Sequence, residues 1–184
     1  MIRLKQIIGL TGVSGSGKTQ LCQKAICYAN EKGFDVSGFF CPAIFIGDTK
    51  VAINVIILPL GNEKSLAMLA KPGMNNNVYG KWDFNQKTIE DVVTHFLSIS
   101  KCDLLIIDEL GPLEIEEKKG RHKVLQHIDQ IDYSVLIITF RSRYQKYFEG
   151  KFSDILIIDL DNKYDVQKFQ HTFEKFLIKG GITQ

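Results

Sequence analysis

Gly12-Val13-Ser14-Gly15-Ser16-Gly17-Lys18-Thr19 joins an apolar run to a run with helical periodicity. Three glycines in eight residues raise the conformational entropy lost on folding, so ordering this segment needs a return from its bare backbone. The run before it, QIIGLT (Gln6–Thr11), reads as a short strand buried on both faces. The run after it, TQLCQKAICYANEKG, places Leu21, Cys22, Ala25, Ile26 and Ala29 on one helical stripe, with Gly33 as a stop. In that context a Gly-x-x-x-x-Gly-Lys-Thr loop converges backbone N–H groups on phosphate oxygens, helped by the field of the helix N-terminus. Gly12, Val13, Ser14, Gly15, Ser16, Gly17, Lys18 and Thr19 are therefore expected to cradle the phosphates of a nucleotide. Lys18 would reach the β- and γ-phosphates as a mobile, catalytic charge, and the Thr19 hydroxyl would coordinate Mg2+.

Outward from the loop, DVSGFFCPAIFI and KVAINVIILPL are two β-rich runs joined by GDTK, which predicts an antiparallel hairpin after the first helix. Residues 61–82 carry little pattern, and AKPGMNNNVYGKW reads as a surface loop. Trp82 and Tyr79 beside it are candidates to stack on a base or to bury against the sheet. Asn85 is a plausible N-cap for a helix with Ile89, Val92, Val93, Phe96 and Leu97 on one face. DLLIID, SVLIIT and DILIID then repeat as apolar strands separated by helical stretches, and a last helix carries Val166, Phe169, Phe173, Phe176 and Leu177. Continuous apolar strands alternating with helices predict an α/β three-layer sandwich around a mainly parallel sheet.

In KCDLLIIDELGPLE an apolar strand ends on two carboxylates. A phosphate-loop nucleotidase needs one strand-end carboxylate for the magnesium shell, and Asp108 fits that task. Adjacent strand residues face opposite ways, so Glu109 is free to face the γ-phosphate and orient the attacking water. Glu114 is expected either to support Glu109 or to cap a helix start. Arg141 and Arg143 follow a strand two residues apart, and one of them could reach the γ-phosphate.

Three segments together, GVSGSGKT, IIDELGPLE and DNKYD, resemble the small nucleoside-triphosphatase family of the thermophilic, or cancer-related, type. The family's Asp-Glu-Ile-Gly-x-Met-Glu signature matches through Asp108, Glu109, Gly111 and Glu114, with Leu110 and Leu113 as apolar variants. Its late Asn-Arg-Asp element is approximated by Asn162, Lys163 and Asp165. The resemblance implies a P-loop NTPase fold and a magnesium-dependent hydrolase with a broad range of nucleoside triphosphates, ATP and GTP among them.

Two other readings stay open. NKYD, Asn162 to Asp165, matches a pattern that reads guanine in GTPase switches. Against it, a whole helix separates the hairpin from Asp108, and nothing strand-like follows the last helix. A kinase moving the γ-phosphoryl group to a small acceptor is the second. Such enzymes favour arginine's rigid fork, and this chain has only Arg3, Arg121, Arg141 and Arg143.

The bulk properties agree with a globular protein. Of 184 residues, 45% are hydrophobic and 24% charged, ordinary values that fit a single nucleotide-binding domain spanning 1–184 with one buried core. A net charge of +2 gives no field suited to nucleic acid or a membrane surface. There is no run of about 18 apolar residues, as a membrane span requires. MIRLKQIIGLTGV runs into the glycine loop rather than a cleavage site, so a cytoplasmic protein is expected. Cys22, Cys27, Cys41 and Cys102 form no CxxC pair and read as small core residues.

Overall fold

The computed structural model describes residues 5–71, 73 and 77–181. Its spine is β1 (Gln6–Thr11), the QIIGLT strand, which pairs in parallel with a strand on either side. The next elements are α1 (Lys18–Glu31), β2 (Val36–Phe40), β3 (Ala43–Ile46), β4 (Thr49–Leu58) and β5 (Asn62–Leu69). Then come β6 (Val78–Tyr79), β7 (Trp82–Phe84), α2 (Gln86–Leu97), β8 (Lys101–Ile107), α3 (Pro112–Ile115) and α4 (His122–His127). The chain continues through β9 (Asp132–Thr139), α5 (Gln145–Lys151), β10 (Ile155–Asp159) and α6 (Lys163–Gly181). The strands form one sheet in the order β10-β1-β9-β8-β2-β4-β5-β7-β6, with β3 pairing β4 off that path.

Half of this sheet is parallel: β10, β1, β9, β8 and β2 run the same way. From β4 onward the pairing is antiparallel. Both faces are covered. On one side Cys22, Ala25 and Ala29 of α1 meet Phe169, Phe173 and Leu177 of α6 over Ile8, Leu10 and Leu104. On the other, Ile89, Val92 and Phe96 of α2 pack with Val124, Leu125 and Phe148 over Leu105, Ile107 and Leu136. The three layers follow from strands that are apolar on both faces and can be buried only between helices.

Asn85 caps α2, its Oδ1 accepting from the Thr88 N–H at 3.0 Å. The buried stripe of α2 is narrower than the sequence pattern suggests, for Leu97 is exposed. The expected hairpin is present with a different partition. The tight turn joins β3 to β4, whereas VSGFF, from the first half of DVSGFFCPAIFI, forms β2 and joins the parallel core beside β8. Gly38 makes that possible: its φ is +105°, and a Cβ there would lie 2.0 Å from the Ile106 carbonyl oxygen. A further strand, β5, occupies part of the region that shows little pattern. Its polar start, NEKS, hides it; Leu66 and Ala67 are the residues it buries. The surface-loop reading of AKPGMNNNVYGKW falls partly on residues outside those described, and its end forms β6 and the start of β7.

Cys22, Cys41 and Cys102 are buried, but Cys27, one residue past Ile26 of the buried stripe, is exposed on α1. Among the described residues, no helix is long and apolar enough to cross a membrane.

Candidate active site

The loops after β1, β8, β9 and β10 all leave the same edge of the parallel strands, the carboxyl edge where open α/β sheets bind ligands. Gly12, Gly15 and Gly17 have φ of +132°, +85° and +97°, a region that side chains rarely adopt. At Gly12 a Cβ would meet Ser16 Oγ at 2.8 Å, while the space over Gly15 is open. Helix α1 starts at Lys18 with no side-chain cap and no acidic residue in its first turn, so its N-terminal N–H groups and their field are uncompensated from within the helix.

The Lys18 ammonium is not the unattached side chain that the sequence suggests. It donates to the carbonyls of Gly12 and Val13, each at 2.8 Å, and to Ser16 Oγ at 3.2 Å. The lysine thereby closes the loop that carries it. Partial burial lowers its pKa, against the pull of Asp108, Glu109 and Asp161, and nearby Arg141 adds to the lowering. On the outer side of the loop, the Val13 N–H donates to Asp161 Oδ2 at 3.0 Å, which ties the loop to the segment after β10.

Asp108 follows β8 and is 1% exposed. Its Oδ2 accepts from the Thr19 hydroxyl at 2.8 Å and from the Cys41 N–H at 2.9 Å. Its Oδ1 accepts from the Thr139 hydroxyl at 2.6 Å. The oxygen of that threonine accepts in turn from the Glu109 N–H at 2.8 Å. Thr139 ends β9, the strand between β1 and β8, so one hydroxyl spaces and orients both carboxylate residues.

Glu109 lies past the end of the strand, with a φ of +60°. The alternation of strand faces therefore does not set its direction; a left-handed turn held by hydrogen bonds does. A non-glycine residue there costs about 1–3 kcal/mol and persists only when its surroundings fix it. Thr139 holds its N–H, and Arg121 Nη2 donates to its carbonyl at 2.7 Å. Burial of the carboxyl group raises the Glu109 pKa; Lys50, 3.5 Å from Oε1, opposes this, and the Asp108 charge adds to it.

Arg121 is the largest feature that sequence reading missed. It is 3% exposed, and its Nε donates to Glu114 Oε1 at 3.0 Å. Its Nη1 lies 3.3 Å from Cys41 Sγ and 3.5 Å from the Asp108 carbonyl. Glu114 caps α3, its Oε2 accepting from the Gly111 N–H at 3.0 Å, and among the described residues it connects to Glu109 only through Arg121. Truncating Arg121 to alanine leaves the Glu114 charge buried and unpaired, so a loss of about 3–5 kcal/mol is expected in denaturant unfolding.

The other candidates divide. Arg143 turns away to Glu116 and Tyr144, while Arg141 is exposed and its charge acts on Lys18. Trp82 packs against the core beside α2, with the Lys50 and Lys81 ammoniums 5.5 and 5.3 Å from its ring centroid. In NKYD, Asn162 Oδ1 accepts from the Tyr164 N–H and Asp165 Oδ2 from the Asp159 N–H. Both side chains are thereby engaged in starting α6.

Sheet order, glycine loop and strand-end carboxylates together define a P-loop nucleotide-binding protein. The chain belongs to the NTPase family, whose model matches residues 7–169, and is therefore an enzyme of hydrolase type. It is 26% identical over 164 residues to the nucleoside-triphosphatase THEP1 of Methanopyrus kandleri, covering 89% of this chain and 84% of that protein. It is 28% identical to the THEP1 of Methanocaldococcus jannaschii, covering 94% and 95% of the two chains. The solution structure of a human cancer-related nucleoside triphosphatase shares the fold, with a TM-score of 0.63 at 18% identity over 97% of this chain and 99% of that one. The crystal structure of THEP1 from Aquifex aeolicus does likewise, with a TM-score of 0.60 at 19% identity over 92% and 96%.

Proposed function

We propose that this enzyme hydrolyses the β–γ phosphoanhydride of nucleoside triphosphates with magnesium, accepts a broad range of bases, and works in the cytoplasm as a single domain. One observation carries the reading: the 2.8 Å hydrogen bond from Thr19 to Asp108 brings the loop's hydroxyl and the strand-end carboxylate to one point, with Glu109 beside them.

The residues at that point suit magnesium. They offer a hydroxyl and carboxylate oxygens, the hard donors that this ion takes. Among the described residues no group of three or more His, Cys, Asp or Glu is placed to hold a metal, and magnesium asks for less, since it keeps waters and takes phosphate oxygens as its remaining ligands. Thr19 and Asp108 would hold it, and when bound it neutralises charge on the β- and γ-phosphates.

The rest of the chemistry falls to side chains. The N–H groups from Gly15 to Thr19 bind the phosphate oxygens. Lys18 exchanges a loop carbonyl for the β- and γ-oxygens, where charge develops. Glu109 receives a proton from the attacking water, the task of a general base.

Base selection rests on less. Asp165 Oδ2 already accepts from the Asp159 N–H at the end of β10, which engages one oxygen of the carboxylate that would read guanine. Less than about tenfold discrimination between ATP and GTP is expected, because one base-edge contact reaches about 1–3 kcal/mol only when the rest of the pocket is built. The test is phosphate release from each common nucleoside triphosphate, with and without nucleoside or nucleoside monophosphate present. Release from all of them without an acceptor supports the proposal. Strict acceptor dependence would replace it with a kinase, and a thousandfold GTP preference lost on Asp165→Ala would replace it with a GTPase switch.

A further inference from the structure

We infer that Lys50 is a positioning residue for the reaction: it comes from the β3–β4 hairpin and fixes the direction of the Glu109 carboxylate. This rests on Glu109 as the base that takes the water's proton.

The Glu109 backbone is pinned at its N–H by Thr139 and at its carbonyl by Arg121. Neither contact restrains the side chain, which still has three rotatable bonds between Cα and the carboxylate. Among the described residues, Lys50 is the hydrogen-bond partner of that carboxylate, at 3.5 Å from Oε1. A base must lie within about 2.6–3.2 Å of the proton's donor, and a misplacement of about 1 Å costs roughly 100-fold. A group that narrows the side chain's freedom therefore acts on the chemical step.

Lys50 is itself held. Its Nζ lies 5.5 Å from the Trp82 ring centroid, and its side chain is 23% exposed although it is the second residue of β4, next to the tight turn. An ammonium within about 6 Å of a tryptophan ring centroid is attracted by the negative face of the ring. A register shift opposite, between Ile44 and Phe45, marks an irregular pairing at this end of the hairpin, where a β-bulge can re-aim a side chain. Phe45 and Ile46 near the turn are 57% and 72% exposed, so this end of the hairpin contributes little to the core.

The test is single-turnover hydrolysis beside titration with a non-hydrolysable nucleotide analogue, in Lys50→Met, Lys50→Arg, Glu109→Gln and the Lys50→Met/Glu109→Gln double variant. Methionine keeps an unbranched apolar side chain of similar length and removes the charge, and circular dichroism with thermal melting establishes that each variant folds. Lys50→Met is expected to slow hydrolysis roughly 10-fold with analogue affinity nearly unchanged, a fraction of the cost of full misplacement. Lys50→Arg should recover most of that loss, and the double variant should be no slower than Glu109→Gln alone. Wild-type rate in Lys50→Met beside a slow Glu109→Gln overturns the inference and leaves Glu109 in place. Lost analogue affinity, or losses that multiply in the double variant, also overturn it, because Lys50 would then act on the phosphates directly. Near-normal hydrolysis in Glu109→Gln removes the reading of the base itself.

Discussion

Lys18→Ala should lose most nucleotide affinity and turnover in a protein that still folds. A charge-assisted hydrogen bond is worth about 1.5–3 kcal/mol, which corresponds to roughly 10- to 100-fold in affinity for a single contact. The lysine is expected to serve both the β- and γ-phosphates, so turnover should fall further than binding. Its bonds to Gly12 O and Val13 O add a second consequence. Alanine frees both carbonyls and loosens the loop; water can solvate that of the exposed Val13, whereas Gly12 is buried. A small fall in melting temperature is therefore expected. Titration with a non-hydrolysable analogue measures the loss, and wild-type affinity in the folded variant would contradict the phosphate-loop reading.

Glu109→Gln is expected to bind magnesium–nucleotide about as well as the wild type and to turn over roughly 100-fold or more slowly, the usual scale for losing a positioned base. Glutamine keeps the size and most of the hydrogen bonding but cannot accept the water's proton. Asp108→Asn should fail differently, weakening magnesium-dependent binding and hydrolysis together. The hydrogen bonds at Asp108 add a cost there. Its two oxygens accept from Thr19, Cys41 and Thr139 in a nearly closed site, and an amide turns one acceptor into a donor facing donors. A stability loss of about 1–3 kcal/mol should accompany the lost metal dependence, and none should accompany Glu109→Gln. Equal losses of binding and turnover in both variants would mean that the two carboxylates share one role.

The core of the fold was readable because its signals are local. QIIGLT, DLLIID, SVLIIT and DILIID are apolar at nearly every position, which only a strand covered on both sides requires, and they became β1, β8, β9 and β10. The antiparallel half was harder. Strand β5 begins Asn-Glu-Lys-Ser on an exposed side, and pairing with β4, not composition, makes it a strand. The direction of DVSGFF was equally hidden. Its placement beside β8 depends on Gly38 passing close to Ile106, a contact between residues 68 positions apart.

The site divides along the same line. The phosphate loop and the Asp-Glu pair are contiguous motifs and could be found by spacing. The groups that hold them come from far along the chain: Thr139 from β9, Arg121 from the turn before α4, Cys41 from the link after β2, and Lys50 from the hairpin. Their only sequence signals were a threonine at the end of an apolar strand and one of the chain's few arginines seven residues after Glu114. Glu109 shows why this matters. Strand alternation suggested a direction for it, but the long-range bonds to Thr139 and Arg121 set a left-handed turn instead.

Hydrolysis in 18O-enriched water tests most directly whether water attacks the γ-phosphorus with no other acceptor. Mass spectrometry of the products should find one solvent oxygen in the inorganic phosphate and none in the nucleoside diphosphate. Solvent oxygen in the diphosphate, release of pyrophosphate with a nucleoside monophosphate, or no phosphate release until an acceptor is added would contradict the account.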